Sequence, residues 1–359
     1  DQLHLVAPQA SADIDGEIQP SGQFPLQLNT RWTLPLQEQQ SLSGQGTITG
    51  TLKGTNNGLK VQQTLSGLLD TQVSATLENL LDKPQGQLSL TDIKTDLSQF
   101  MPALTDSQLR GSMSAQGSRD NATLNGQLHT HLPELGATQL SLRLHFADDI
   151  LHVDQLELTQ AEQPLQPAGA TDSQQSKGLM LRLQGEVDTR SSPLRFNISG
   201  HWDNLHYPLT GQAAYISPEG KLSITGDLQH YQFNLNSSVE GTEIPTGQWT
   251  LSGTGNAQAI NQLTLNGTTL EGNVRVTGEL AWQPALSWKL KASGKQLNPG
   301  SHWPEWPGKL DFAASVNGSQ AAGTPLTLAV LLQSLSGQLR GEAISGSGTL
   351  NVNGDNLTI

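Results

Sequence analysis

Two histidines lie one residue apart in the segment LHTHL, where His129 and His131 would project from the same face of a strand, as two ligands of one metal ion do. The flanking Leu128 and Leu132 take the alternate positions and would face apolar material. A histidine pair facing water is therefore favoured over a metal site.

Two adjacent carboxylates, Asp148 and Asp149 in the segment ADDI, suggest acid–base chemistry. Adjacent strand residues point to opposite faces, so this pair is more typical of a tight turn than of a catalytic dyad. The sequence contains no G-x-S-x-G, P-loop or H-E-x-x-H motif, and zero cysteines exclude thiol catalysis and thiolate metal sites. We therefore expect no catalytic residue, no metal, no cofactor, and a protein that is not an enzyme.

Two tryptophans, Trp303 and Trp306, lie between prolines in the segment HWPEWPG. Exposed indoles at such a position would bind a sugar or a lipid headgroup. The alternative is a capping loop that packs on the mouth of a groove.

The composition excludes several classes of protein. The net charge of −13, with only 19 basic residues, offers no basic patch for nucleic acid. Charged residues make up 14% of the 359 residues and aromatic residues 4%. No run of 18 apolar residues is present, so the sequence predicts no transmembrane helix in this chain.

The dominant period is two, which indicates β-strands. The segment QLSLRLHF alternates apolar and polar residues throughout, and a unit of the form apolar-x-apolar-x-Gly-x-apolar recurs every 11 to 25 residues. One short helix is expected at 95–104, and Pro102 keeps it short. The polar segment 160–178 has no periodicity and predicts a flexible linker between β-segments 1–159 and 179–359, two stretches of one continuous sheet.

The glycines of this unit lie on the apolar register near the middle of each strand. If they line up across strands, they form a crease about which the sheet folds into a U-shaped trough. The predicted fold is therefore all-β, with very little helix: a long, mostly antiparallel sheet folded into a hydrophobic groove. The glycines that would form the crease are Gly185, Gly200, Gly211, Gly226, Gly253 and Gly278.

An exposed apolar trough of this size requires an apolar occupant, and acyl chains fit. The alternative is that the apolar faces pack on each other as a β-sandwich or solenoid. The residues predicted to line the groove and bind lipid are Leu140, Leu142, Leu144, Phe146, Leu181, Leu183, Phe196, Ile198, Trp202, Leu222, Ile224, Phe233, Leu235, Trp249, Leu251, Val274, Val276, Leu280, Trp282, Trp288 and Leu290.

Four segments resemble the TamB family of bacterial envelope proteins, within the wider AsmA-like group. They are ISGHWDNLHYPLTG at 198–211, YQFNLNSSVEGTEIPTGQWTLSGTG at 231–255, LEGNVRVTGELAWQPALSWKLKASGKQLNPG at 270–300 and WPEWPGKLDFAASVNG at 303–318. The resemblance is strong for about a third of the chain. The first 100 residues share with the family only the general pattern of residue types.

The resemblance implies a periplasmic β-groove of a Gram-negative bacterium, in a full-length protein anchored in the inner membrane. It implies movement of phospholipid between the inner and outer membranes and a role in outer-membrane protein assembly. The implied partners are phospholipid acyl chains and a BamA-like outer-membrane barrel of the TamA type, bound through a region outside this fragment. Two alternatives remain: a β-solenoid surface protein of the adhesin type, and a chaperone-like binder of outer-membrane protein clients.

Overall fold

The structure is a computed structural model that describes residues 2–7, 10–36, 40–55, 57–100, 104, 107–132, 135–160, 178–207, 213–241, 243–321, 323–354 and 356–358. The chain divides into two compact units, Asp1–Gly178 and Leu179–Ile359. The predicted linker at 160–178 falls almost entirely outside the described residues. No helix in the described ranges is both long enough and apolar enough to cross a membrane.

Unit 1 is an antiparallel meander in which each strand pairs with its neighbours in sequence. Its strands are β1 (Gln2–Ala7), β2 (Ala10–Ile18), β3 (Pro25–Pro35), β4 (Ser41–Thr51), β5 (Gly58–Gly67), β6 (Asp70–Glu78), β7 (Gln85–Asp96), β8 (Gln108–Gly117), β9 (Asn121–Leu132), β10 (Gly136–Ala147) and β11 (Ile150–Gln160). Within the described part of 95–104, the structure has a single 3-10 turn at Leu97–Gln99, capped by the Asp96 side chain, which accepts a hydrogen bond from the Ser98 amide at 2.9 Å.

Unit 2 repeats this architecture, again with antiparallel pairing between consecutive strands. Its strands are β12 (Met180–Asp188), β13 (Arg195–Tyr207), β14 (Tyr215–Asp227), β15 (Tyr231–Gly241), β16 (Gly247–Gly255), β17 (Ala259–Thr269), β18 (Gly272–Ala281), β19 (Leu286–Leu297), β20 (Gly308–Gln320), β21 (Thr327–Leu339), β22 (Glu342–Asn353) and β23 (Asn356–Thr358). A 3-10 turn at Pro299–Ser301 lies between β19 and β20.

Tight turns join many of these strands. At the β10–β11 hairpin, Asp148 and Asp149 have φ angles of 52° and 59°, the positive pair that a two-residue type I′ turn requires. Acidic and amide side chains tolerate this conformation better than most residues do. The prediction that these carboxylates form a turn is confirmed.

Few apolar side chains are buried in either unit. In the described part of the chain the buried hydrophobic residues are Leu26, Ile93, Leu128, Leu179, Trp202 and Leu297. The other apolar strand residues keep intermediate or high exposure, so the described residues form no second layer over them. The predicted all-β, open antiparallel sheet with very little helix is confirmed, and its uncovered apolar face fits a groove.

The mid-strand glycines do not form the single crease that we predicted. In the register, Gly200 lies opposite Leu183, Gly185 opposite Ile198, and Gly226 opposite Phe196. Gly185 shares its row with Gly253 and Gly278, while Gly200 and Gly226 lie in two neighbouring rows, and Gly211 lies outside the described residues. At Gly226 the backbone has φ of +134°, and a Cβ there would overlap the His230 carbonyl oxygen, so close approach of the backbones explains this glycine.

Candidate functional site

The strand register of unit 2 aligns apolar residues into a continuous row. Residues that pair directly across an antiparallel sheet lie on the same face, so the pairings can be followed from strand to strand. The row that passes through Leu183, called the second row below, crosses β12 to β22. Its members are Leu183, Gly200, Leu222, Leu235, Leu251, Leu265, Val276, Ala292, Ala314, Leu332 and Gly348.

Three further rows run parallel to it, and the four rows together are the apolar face of unit 2. The first row contains Leu181, Trp202, Gly220, Ser237, Trp249, Gly267, Val274, Gly294, Phe312, Leu335 and Gly346. The third row contains Gly185, Ile198, Ile224, Phe233, Gly253, Leu263, Gly278, Leu290, Val316, Val330 and Leu350. The fourth row contains Val187, Phe196, Gly226, Tyr231, Gly255, Ile260, Leu280, Trp288, Gly318, Leu328 and Val352.

The register brings together every groove-lining residue predicted in unit 2 except Trp282. Trp282 follows β18 at the end of the face, where its Nε1 donates to the Ala257 carbonyl oxygen at 2.9 Å. Its indole is 40% exposed, so it extends the apolar surface toward the loops. Whether these residues bind lipid stays a prediction.

Aromatic side chains on this face lie against glycines of the next strand. A Cβ at Gly220 would overlap the Trp202 ring, and a Cβ at Gly267 would overlap the Trp249 ring. Gly318 stands in the same relation to Trp288. The rings occupy the space that a side chain would take at each glycine, which is the known pairing of an aromatic residue with a strand glycine. Because these glycines carry no side chain, the large rings can lie close to the sheet instead of projecting from it.

The tryptophans are confined to the outer rows. Trp202 and Trp249 belong to the first row and Trp288 to the fourth, while the second row is aliphatic or glycine throughout. Burial against the face raises the pKa of the Tyr231 hydroxyl, which lies in the fourth row. The second row is therefore an aliphatic strip, with tryptophans in the first and fourth rows and Phe233 in the third.

The opposite face of unit 2 is polar. Directly behind the second row stand residues such as Gln184, Ser223 and Asn234, which line an open depression together with His201 and Lys221. Hydrogen bonds link neighbouring amides and hydroxyls there, for example from Thr250 Oγ1 to Asn236 Oδ1 at 2.9 Å. The two faces thus differ sharply in polarity, as expected for a sheet with one wet side.

Unit 1 carries a similar apolar row. It runs through Gly16, Leu28, Ile48, Val61, Ala75, Leu88, Ala115, Leu124, Leu144 and Val153. The predicted lining residues Leu140, Leu142 and Phe146 lie on the same strand and face as Leu144.

A polar cluster interrupts the adjacent row of unit 1. That row contains Ile14, Thr30, Gly46, Gln63, Val73, Leu90, Met113, Gly126, Leu142 and Leu156. Gln63 Nε2 donates to Thr30 Oγ1 at 2.7 Å, and Trp32 Nε1 donates to Gln63 Oε1 at 3.3 Å. These mutual hydrogen bonds let polar groups lie on an otherwise apolar surface.

Sequence reasoning missed part of both faces. The same alternation continues through β17, β20 and β21, where Leu265, Val316 and Leu332 extend the rows. In unit 1 the prediction named β10 alone, although Leu28 and Leu88 belong to the same surface. The alternation of apolar and polar residues in these segments is the sequence signal that could have identified them.

The histidine pair is placed as we expected. His129 and His131 are exposed on β9, and no group of three or more metal-ligating residues occurs within the described ranges. The carboxylates with altered acidity lie in the loops at one end of the strands. A side-chain hydrogen bond from Arg190 lowers the pKa of Asp188 to about 2, and backbone amides of His230 and Gln229 lower that of Asp227.

The antiparallel meander differs from the parallel rungs of a β-helix, which removes the main support for the surface-solenoid alternative. No solved structure matches the chain. A family model described as the N-terminal domain of TamB matches residues 159–358, which include all the strands of unit 2. That match covers more than half of the 359 residues. The chain therefore belongs to the TamB family of transport and assembly proteins of the Gram-negative envelope.

Proposed function

We propose that the apolar face carries phospholipid through the periplasm between the inner and outer membranes. Acyl chains lie on the face while headgroups stay in water, and movement needs no covalent step. The observation that carries this proposal is the second row, in which aliphatic side chains and glycine follow one another across eleven consecutive strands from β12 to β22.

The dimensions and exposure of the face support an acyl occupant. Neighbouring rows are two residues apart along a strand, about 6.8 Å, so four rows cover roughly 20 Å. Leu222, Leu235 and Leu251 are half-exposed, and no described residue covers them. An apolar surface of this extent exceeds what a soluble monomer normally leaves to water. Burial of this surface by an acyl chain contributes about 25 cal/mol per Å².

The uniformity of the second row favours movement along it. Leu251 is flanked by Leu235 and Leu265, and Val276 and Ala292 continue the series. A chain that slides by one strand exchanges one aliphatic contact for a similar one, so no position holds it much more tightly than the next. A conduit requires such near-equal sites.

The contacts with both membranes form a second part of the proposal. We propose that the full-length protein is anchored in the inner membrane and meets a BamA-like outer-membrane barrel of the TamA type. These contacts belong to segments other than the face described above. A link to outer-membrane protein assembly follows from family membership and from the same partner.

Native mass spectrometry of the chain purified from bacteria without detergent tests the proposal. We expect co-purified phospholipid on the wild-type chain, reduced at least severalfold by Leu222→Arg, which places a charge in the second row. Ser223→Arg is the matched control, because it adds the same charge to the neighbouring residue on the polar face. A folded wild-type chain without lipid would overturn the proposal. Unfolded outer-membrane protein captured in place of lipid would favour the chaperone alternative.

A further inference from the structure

A structured loop lies at one end of the unit 2 strands. It connects β19 to β20 over residues 298–307 and exposes Trp303 and Trp306, whose side chains are 36% and 44% exposed. Large exposed indoles on an ordered loop are characteristic of binding surfaces.

Asn298 fixes this loop to its neighbours. Its Oδ1 accepts hydrogen bonds from the amides of Gly300 at 3.1 Å and Gly308 at 3.2 Å, and its Nδ2 donates to Glu271 Oε2 at 2.7 Å. Its own amide donates to the Leu270 carbonyl oxygen at 2.7 Å. One side chain thus ties both ends of the loop to the β17–β18 turn, so the tryptophans are held on a preorganised support.

The β21–β22 turn, at the same end of the strands, contributes a cation. Arg340 lies in the β21–β22 turn, where its amide donates to the Pro307 carbonyl oxygen at 2.7 Å. Its guanidinium carbon is 5.5 Å from the centre of the Trp306 ring, within the range of a cation–π contact. Glu305 precedes Trp306, and Glu342 follows shortly after Arg340. Among the described residues, however, no carboxylate forms an ion pair with Arg340. The guanidinium therefore lies over the indole and can bind an anion.

The loop adjoins the apolar face. The strands that lead into it carry Leu297 and Leu310, which pair with each other on the apolar register, and Gly337 and Ile344 continue this row across β21 and β22. Leu297 is one of the few buried hydrophobic residues of the chain. An acyl chain on the outer part of the face would bring its polar end to the loop that carries Trp303, Trp306 and Arg340.

We propose that Arg340 and Trp306 form a rim site for the phosphate of a phospholipid whose acyl chains lie on the apolar face. The inference rests on the proposed function and adds the headgroup chemistry. An arginine fork binds phosphate oxygens in a bidentate manner, and an indole packs well at the boundary between acyl chain and headgroup. The site recognises the phosphodiester, because only the guanidinium supplies a charged contact.

Calorimetric titration of the full chain with two short-chain lipids tests the rim site. The probes are dihexanoyl phosphatidylglycerol and dihexanoylglycerol, which share acyl chains and differ in the phosphoglycerol headgroup. We expect Arg340→Gln to weaken binding of the phosphatidylglycerol by about threefold, as for an exposed ion pair, and to leave dihexanoylglycerol unchanged. Trp306→Leu should weaken both lipids, and added salt should reduce the difference between wild type and Arg340→Gln.

Lys309→Gln is the matched control. It removes one positive charge beside the same loop, but Lys309 alternates with Leu310 and so faces the polar side. Equal affinities of wild type and Arg340→Gln for phosphatidylglycerol, or equal losses in Arg340→Gln and Lys309→Gln, would overturn the rim site. If Leu222→Arg then still abolishes binding of both lipids, the conduit proposal stands without it. A wild-type chain that binds neither lipid would overturn both.

Discussion

The indole of Trp202 on β13 lies against Gly220 on β14, and its Nε1 donates to Ser217 Oγ at 2.8 Å. Ser217 Oγ in turn lies 2.7 Å from Ser237 Oγ on β15. The Trp202 ring thus fills the space left by the missing side chain of Gly220. Its one polar atom, Nε1, has a hydrogen-bond partner at the edge of the face. Trp202 is 8% exposed, which shows how a single-layer sheet can bury a large ring.

This arrangement predicts that Gly220→Ala is destabilising. The added methyl group would overlap the Trp202 ring, so the ring must leave its position at a cost of about 1–3 kcal/mol. Hydrogen exchange should show lower protection of β13 and β14 amides than in the wild type. Gly346→Ala is the control, since a Cβ at Gly346 would contact nothing within 4 Å. Similar protection in the two variants would contradict the role of the aromatic–glycine pair.

The loop after β12 should respond to acid. Arg190 donates to Asp188 from its side chain at 3.0 Å and from its amide at 3.0 Å, and these bonds lower the carboxyl pKa to about 2. A lowered carboxyl pKa stabilises the loop fully above about pH 4, and this contribution disappears as the pH falls through 2.

An NMR titration of the Asp188 carboxyl carbon checks this expectation. The midpoint should lie near pH 2 in the wild type and move up toward the ordinary value of 3.8 in Arg190→Gln. Arg182→Gln, which changes a cation six residues earlier in β12, should leave the midpoint near 2. An ordinary midpoint in the wild type would show that the bonds to Arg190 do not persist in solution.

The polar cluster of unit 1 yields a separate prediction. Gln63→Leu removes the hydrogen bonds to Thr30 and Trp32 and adds apolar surface to the row. These effects oppose each other, so stability should change by less than about 1 kcal/mol. Lipid occupancy of the chain should rise, because an acyl chain no longer has to cover a polar amide.

Gln62→Leu is the matched change on the polar face, since Gln62 precedes Gln63 and points to the opposite side. It should leave lipid occupancy unchanged. A rise of equal size in both variants would show that added hydrophobicity, and not the position in the row, determines occupancy.

Strand identity and the polarity of the two faces could be predicted from the sequence, because a period of two is a local signal. Leu181 and Leu183 show their shared face within one segment. The register could not be predicted, since the pairing of Gly200 with Leu183 depends on the length of the turn between their strands, and other pairings depend on bulges such as the one between Thr254 and Gly255.

The register also corrects the role of the glycines. From sequence six mid-strand glycines predicted a crease, whereas the structure shows that three others, Gly220, Gly267 and Gly318, accommodate rings from the neighbouring strand. The rim site needed the structure for a similar reason. Trp306 and Arg340 are far apart in sequence, and the hairpin order brings them within 5.5 Å.

The central claim is that the four-row face, and not its reverse side, contacts lipid in the cell. Site-specific photo-crosslinking tests it most directly, with a photoreactive residue at Leu251 in the second row or at the adjacent Ser252 on the polar side. The account predicts phospholipid adducts from position 251 and none above background from position 252. Equal adducts at both positions, or adducts at 252 alone, would contradict it.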